Sequence, residues 1–220
     1  KSVLNDPDVE SALSNKRFPW LSAKTIEIGM CPVNAIRVAY TGELGWELHH
    51  PIEMQNYLWD RLLLAGSNYG LKLVGARAQN WLRQEKSYRA FGTELGRDAT
   101  PLEADLSRFI DLEKEFFGKS KMEATGVRAK CVTVLINGPG DADPWGREAL
   151  YLEDGTKVGR LTSGGYSVVF GKSIGMGYIR PDLAQEGQKL KVKMFNSFWD
   201  AEVTCDSPYD PKNETIRKDG

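Results

Sequence analysis

The segment YTGELGWELHHP, residues 40–51, carries two carboxylates, Glu43 and Glu47, in an otherwise apolar and aromatic stretch. They flank the entry of a strand that is otherwise apolar and aromatic, so at least one acid is expected to face a cleft. An ionised carboxylate is a pure acceptor with two oxygens, and it pairs well with a planar amidine-like edge through two parallel N–H bonds. The ring N–H and 2-amino group of a pterin form such an edge, and Glu43 and Glu47 are both candidate acceptors. Arg77, at the start of the run GARAQNWLRQEK, is the candidate cation to fix that carboxylate or to meet a ring carbonyl. Trp46, Trp81 and Tyr88 could wall a flat ligand. The plain alternatives are a surface carboxylate, an exposed helix arginine and ordinary core aromatics.

Other chemistry finds little support. The two histidines, His49 and His50, are adjacent, so on a strand they face opposite ways and do not chelate one metal. No catalytic residue and no metal site is expected. Ser163, in TSGG, reads as a turn residue, and GELG lacks the glycines and following helix of a dinucleotide fingerprint. The three cysteines, Cys31, Cys131 and Cys205, are far apart and odd in number, which suits inert thiols in a reducing compartment. With 29 basic and 30 acidic residues spread along the chain, no run of one sign suits nucleic acid or a membrane surface. No apolar stretch nears the ~20 residues of a membrane span. The start, KSVLNDPDVES, is too polar for a signal peptide, and Lys1 in place of Met suggests a segment of something longer.

These groups need a scaffold, and its pattern is mixed. Residues 9–13 read as a helix end, 25–28, 33–40 and 46–49 as strands, and 52–65 and 75–86 as helices, the first ended by Gly66. Residues 101–106 suit a short helix or turn, 109–112 a strand, and 117–125 a helix. After Gly126 the composition changes to short β-rich runs at 130–136, 149–152, 158–162, 174–179, 190–194 and 201–204, split by turns such as NGPGD and EDG. The expected fold class is α+β, with residues 1–126 as one domain and 127–220 as a small antiparallel β-barrel or sandwich.

Taken in order, FPWLSAKTIEIG, IRVAYTGELGWELHHP, GARAQNWLRQEKSYRAFGTEL, TPLEADL, FFGKSKM and KVGRLTSGGYSVVFGKSIGMGYI resemble the tail of the dimethylglycine and sarcosine dehydrogenase family. That tail is itself similar to the aminomethyltransferase, or T-protein, of the glycine cleavage system. GELGWEL, EK-x-YRA-x-G and DPWGREAL side with the dehydrogenases. The resemblance implies a folate-binding aminomethyltransferase-like fold ending in a β-barrel, and an upstream flavin domain, with FAD, that lies outside this chain. In such enzymes the flavin domain oxidises a small N-methyl amine, and the folate domain captures the one-carbon unit on tetrahydrofolate as 5,10-methylenetetrahydrofolate. Carried over by motif, Glu47 reads the pterin, Leu48 and His49 lie on the same folate-contacting strand, and Arg77 matches the arginine of the T-protein ARD motif. Ala78 replaces the aspartate of that motif, and His49 stands where tyrosine is common.

The family's catalytic aspartate lies far upstream of the residue matching Glu47, so the chain by itself is not expected to complete the reaction. Two other readings are a T-protein-like aminomethyltransferase or other folate-dependent demethylase, and a folate-fold scaffold without catalysis. The resemblance further implies a cytoplasmic protein in a bacterium or a mitochondrial-matrix protein in a eukaryote, not a secreted one.

Overall fold

The computed structural model describes residues 3–140 and 142–219. The chain divides into two compact units, Lys1–Gln79 with Lys212–Gly220, and Asn80–Pro211. The first is built on a three-stranded antiparallel sheet, β1 (Ala23–Ile28), β2 (Cys31–Ile36) and β3 (Glu47–His49), in the order β1-β2-β3. In β2, Cys31, Val33 and Ala35 are buried while Pro32 and Asn34 are exposed, so one face is core and the other open. Phe18, Ile28 and Leu58 complete that core, with Leu48 and Leu62 packed on it. Leu58 and Leu62 lie one turn apart on helix α1 (Gln55–Gly66), which is how the helix covers the sheet. Gly66 does not stop the chain turning. A 3-10 turn continues over Ser67–Tyr69, and Gly70 ends it with a left-handed φ of 67°.

Arg37 is the unusual member of this unit, with 1% of its surface exposed. Its Nη1 donates to the carbonyls of Leu13 (3.2 Å) and Phe18 (2.7 Å), and Nη2 donates to the carbonyl of Lys218. The guanidinium thus supplies partners for loop carbonyls that no strand satisfies. Its charge also faces the Trp46 ring at 5.5 Å.

Helix α2 (Ala76–Glu85) leads into the second unit, where a short helix α3 (Lys119–Thr125) precedes the barrel. Six strands, β4 (Lys130–Ile136), β5 (Ala149–Tyr151), β6 (Lys157–Ser167), β7 (Lys172–Ile179), β8 (Lys189–Met194) and β9 (Ser197–Thr204), close in the order β4-β7-β6-β5-β8-β9. The interior is filled by Val132, Val134, Ile136, Leu150, Val158, Leu161, Ile179, Leu190, Val192 and Met194. A barrel this small has room for side chains and no channel. Bulges between Leu150 and Tyr151 and between Leu161 and Ser163 bend the strands round the corners.

Three expectations are corrected. Residues 9–13 are turns, because the Asp8 carboxylate accepts from the Ser11 amide (3.3 Å) and hydroxyl and offers the backbone a local alternative to a helix. Residues 109–112 form no strand: a 3-10 turn spans Ser107–Phe109, and Lys114 N–H bonds back to the Asp111 carbonyl. The strand expected over 33–40 starts at Cys31 and ends at Ile36, where Val38 N–H turns back to the Ile36 carbonyl at 3.0 Å.

Barrel closure depends on glycine at Gly177, where an added Cβ would lie 2.3 Å from the Arg160 carbonyl oxygen. Gly177→Ala is expected to destabilise the protein by about 1–3 kcal/mol, read as a lower urea midpoint at unchanged slope. An unchanged midpoint would mean that the strand spacing yields freely.

Candidate functional site

Strand β3 puts Glu47 and His49 on one face and Leu48 on the other, as the two-residue period requires. Leu48 packs on the core, whereas Glu47 and His49 have side-chain exposures of 57% and 59%. Nε2 of His49 stands 3.4 Å from Oε2 of Glu47, an ion pair when the imidazole is protonated and one of small energetic worth in solvent. The same face carries Ile36 opposite Glu47 and Asn34 opposite His49. It therefore presents a solvated carboxylate acceptor beside a half-buried aliphatic group, which is what the edge and face of a flat, donor-rich heterocycle require.

Arg77 is exposed on the first turn of α2, and Glu43 is exposed in the turn before β3. Trp46 is a core residue of the first unit, meeting Phe18 edge-on at 6.5 Å between ring centres. Trp81 fills the space beside Gly165, where an added Cβ would lie 2.1 Å from its ring.

The second unit holds the strongest polar cluster, and sequence reading missed it. Arg83 and Glu94 are both fully buried and meet at 3.0 Å. One Glu94 oxygen accepts from Ser163 (2.5 Å) and Thr162 (2.6 Å), the other from Arg83, the Ala90 amide (3.0 Å) and Thr93 (2.7 Å). Arg83 also donates to Ser163 Oγ at 2.6 Å and to the Tyr88 carbonyl at 2.7 Å. Ser163, expected as a turn residue, is thus a buried strand residue that bridges the two charges. Burial pushes the Glu94 carboxyl up, but the Arg83 charge and these hydrogen bonds outweigh it and hold the group below the usual range. Every acceptor position is committed within the fold, so the pair is structural.

A cleft of about 350 Å³ beside this cluster is lined by Gly92, Glu94, Glu103, Arg128, Arg160 and Tyr178. Of its two other acidic residues, Asp98 and Glu103, the second is also committed. Glu103 accepts from Arg128 Nε (2.8 Å) and Nη2 (3.0 Å), and from the Thr100 amide (2.7 Å). The Glu103 amide returns a bond to Thr100 Oγ1 at 3.2 Å, a reciprocal T-x-x-E box that TPLE could have signalled. The Arg128 bonds hold the Glu103 carboxyl down to about 2. Among the described residues no group of three or more His, Cys, Asp or Glu side chains could hold a metal ion, and no helix is long and apolar enough to cross a membrane.

The chain matches the GCVT N-terminal domain over residues 1–114 and the glycine cleavage T-protein C-terminal barrel domain over residues 130–210. It is 37% identical to mitochondrial dimethylglycine dehydrogenase of Mus musculus over 217 residues, covering 94% of this chain and 24% of that one. Identity is 35% over 185 residues to the aminomethyltransferase of Desulfitobacterium hafniense, covering 82% and 49%, and 30% over 230 residues to mitochondrial sarcosine dehydrogenase of Mus musculus, covering 99% and 24%. The chain therefore spans about a quarter of the length of the dehydrogenases and about half that of the aminomethyltransferase. The crystal structure of glycine cleavage system aminomethyltransferase T from Bartonella henselae shares the fold, with a TM-score of 0.78 at 21% identity over 92% of this chain and 56% of that one.

Glu94→Ala strands the Arg83 charge in the interior, and a loss of about 3–5 kcal/mol in unfolding free energy is expected from denaturant titration. A loss under 1 kcal/mol would show that water reaches the site. For Glu103, the folded carboxyl titrates below its ordinary value of 4.5, so its stabilisation is present above that value and is lost as pH falls toward 2. The melting temperature is expected to fall across that window, and less steeply in Glu103→Gln.

Proposed function

The chain belongs to the glycine cleavage T-protein family, and from that premise we propose that its first unit binds the pterin of a reduced folate through the open face of the β1–β2–β3 sheet. The observation that carries this reading is the exposed Glu47 carboxylate on β3, displayed with His49 while Leu48 anchors the strand to the core. Glu47 accepts the pterin 2-amino and N3 hydrogens as a parallel pair. His49 leans on one carboxylate oxygen and limits its rotation. Arg77 supplies the cation that fixes the same carboxylate. Tetrahydrofolate supplies the nucleophilic nitrogens that accept a one-carbon unit, and the residues of this chain hold and orient it.

The similarity to dimethylglycine and sarcosine dehydrogenases supports a finer reading. In it, an upstream flavin domain, carrying FAD, oxidises a small N-methyl amine, and this region captures the released carbon to form 5,10-methylenetetrahydrofolate. The GELGWEL segment and the 94% coverage against dimethylglycine dehydrogenase favour this over a stand-alone aminomethyltransferase. The mitochondrial names of those relatives support a matrix location if the source is eukaryotic.

In Glu47→Gln the amide keeps one acceptor and sets a donor against a pterin donor. Loss of a charged hydrogen bond costs roughly 1.5–3 kcal/mol, so isothermal titration with 5-formyltetrahydrofolate is expected to show about a tenfold to hundredfold weaker affinity. Flavin reduction by dimethylglycine or sarcosine in the full-length gene product is expected to stay near wild type. Unchanged folate affinity would return Glu47 to an ordinary surface carboxylate.

A further inference from the structure

The open sheet face carries a second polar group whose position is fixed by register. Asn34 pairs across to His49 on one side and to Thr25 on the other. Directly paired residues of an antiparallel sheet share a face, so Thr25, Asn34 and His49 form one row, and all three are exposed. Ile36 and Glu47 form the next row, which makes Asn34 the diagonal neighbour of Glu47 at a spacing of roughly 7–8 Å.

The Thr25 hydroxyl donates to Asn34 Oδ1 at 2.9 Å. This bond engages the amide oxygen from the β1 side and turns the Nδ2 hydrogens away from β1. The face then offers a donor from Asn34 and a two-point acceptor from Glu47, side by side over Ile36. A carboxylate alone accepts any amidine-like edge, aminopyrimidines included. A donor placed next to it selects an edge that runs donor, donor, acceptor, which is the order of the 2-amino, N3–H and 4-oxo groups of a pterin.

We propose that Asn34 is a second recognition residue of this face, donating through Nδ2 to the 4-oxo oxygen of the pterin, and that Thr25 is a positioning residue that sets the amide's orientation. The proposal rests on the folate reading above and adds the specificity for a 4-oxo ring. Asn34→Asp replaces the donor with acceptors at almost constant shape, and Thr25→Val frees the amide to rotate.

The test is isothermal titration of the full-length gene product with 5-formyltetrahydrofolate and with methotrexate, which carries an amino group in place of the 4-oxo oxygen. The wild type is expected to prefer the oxo compound. Asn34→Asp is expected to weaken 5-formyltetrahydrofolate by about tenfold to hundredfold and to reduce or reverse the preference, and Thr25→Val to weaken it by about two- to tenfold. The ratio of the two affinities is insensitive to a change in folded fraction, so it separates recognition from stability. If Glu47→Gln weakens 5-formyltetrahydrofolate while Asn34→Asp leaves both affinities and their ratio unchanged, Asn34 has no such role and the folate reading survives. If the wild type does not bind, or Glu47→Gln binds as the wild type does, both fall.

Discussion

Everything the open face displays depends on the register of β3 against β2. The pairs Ile36 with Glu47, Ala35 with Leu48 and Asn34 with His49 leave one aliphatic side chain on the core and two polar ones in solvent. A slip of one residue would reverse every side chain of β3 and drive Glu47 and His49 toward Phe18, Val33 and Leu58. Burying an unpaired carboxylate there would cost several kcal/mol, whereas burying Leu48 gains roughly 2 kcal/mol. A strand of only three residues is thus held in place by the contrast between its middle residue and its ends.

The second unit solves a different problem, the attachment of a polar stretch to a closed barrel. Arg83, Gln84, Glu85, Lys86 and Ser87 are consecutive and each is buried. Arg83 meets Glu94 and Ser163, Gln84 donates to the Gly164 carbonyl at 3.3 Å, and Glu85 accepts from Ser167. Lys86 donates to the carbonyls of Tyr209 (3.0 Å) and Asp210 (2.7 Å), and Ser87 bonds Thr133 at 2.7 Å. Buried polar groups are costly unless paired, and each of these five residues finds at least one partner, although Gln84 Oε1 accepts no hydrogen bond. The reward is specificity: each residue finds its partner in one arrangement of helix end, loop and strand.

This contrast explains what was legible in the sequence. The six barrel strands and helix α1 show through the apolar positions they bury, and helix α2 through its length and straight-chain residues. Glu47 stands out as a candidate because a carboxylate is conspicuous in an apolar and glycine-rich setting. Glu94 and Ser163 do not, because their shared partner Arg83 lies 11 and 80 residues away along the chain, and a run such as RQEK reads as a solvated helix face until the barrel covers it. Asn34 was invisible for a related reason: its meaning comes from cross-strand neighbours, and register is not written in either strand alone. The early turn at Asp8 and the 3-10 turn at Ser107–Phe109 failed as expected elements because local hydrogen bonds outcompeted weak propensity.

The titratable groups point the same way as the open face. The carboxyls of Asp6, Asp8, Glu94, Glu103, Asp154 and Asp182 are all shifted down, each stabilised as an anion by its own partners. Burial pushes the other set up: the Cys131 thiol to about 12, with Cys31, Tyr88 and Tyr178 also above their ordinary values. Both directions lead away from neutral pH, whereas a general acid or base works best with a pKa near the operating pH. These shifts therefore suit anchoring rather than proton transfer.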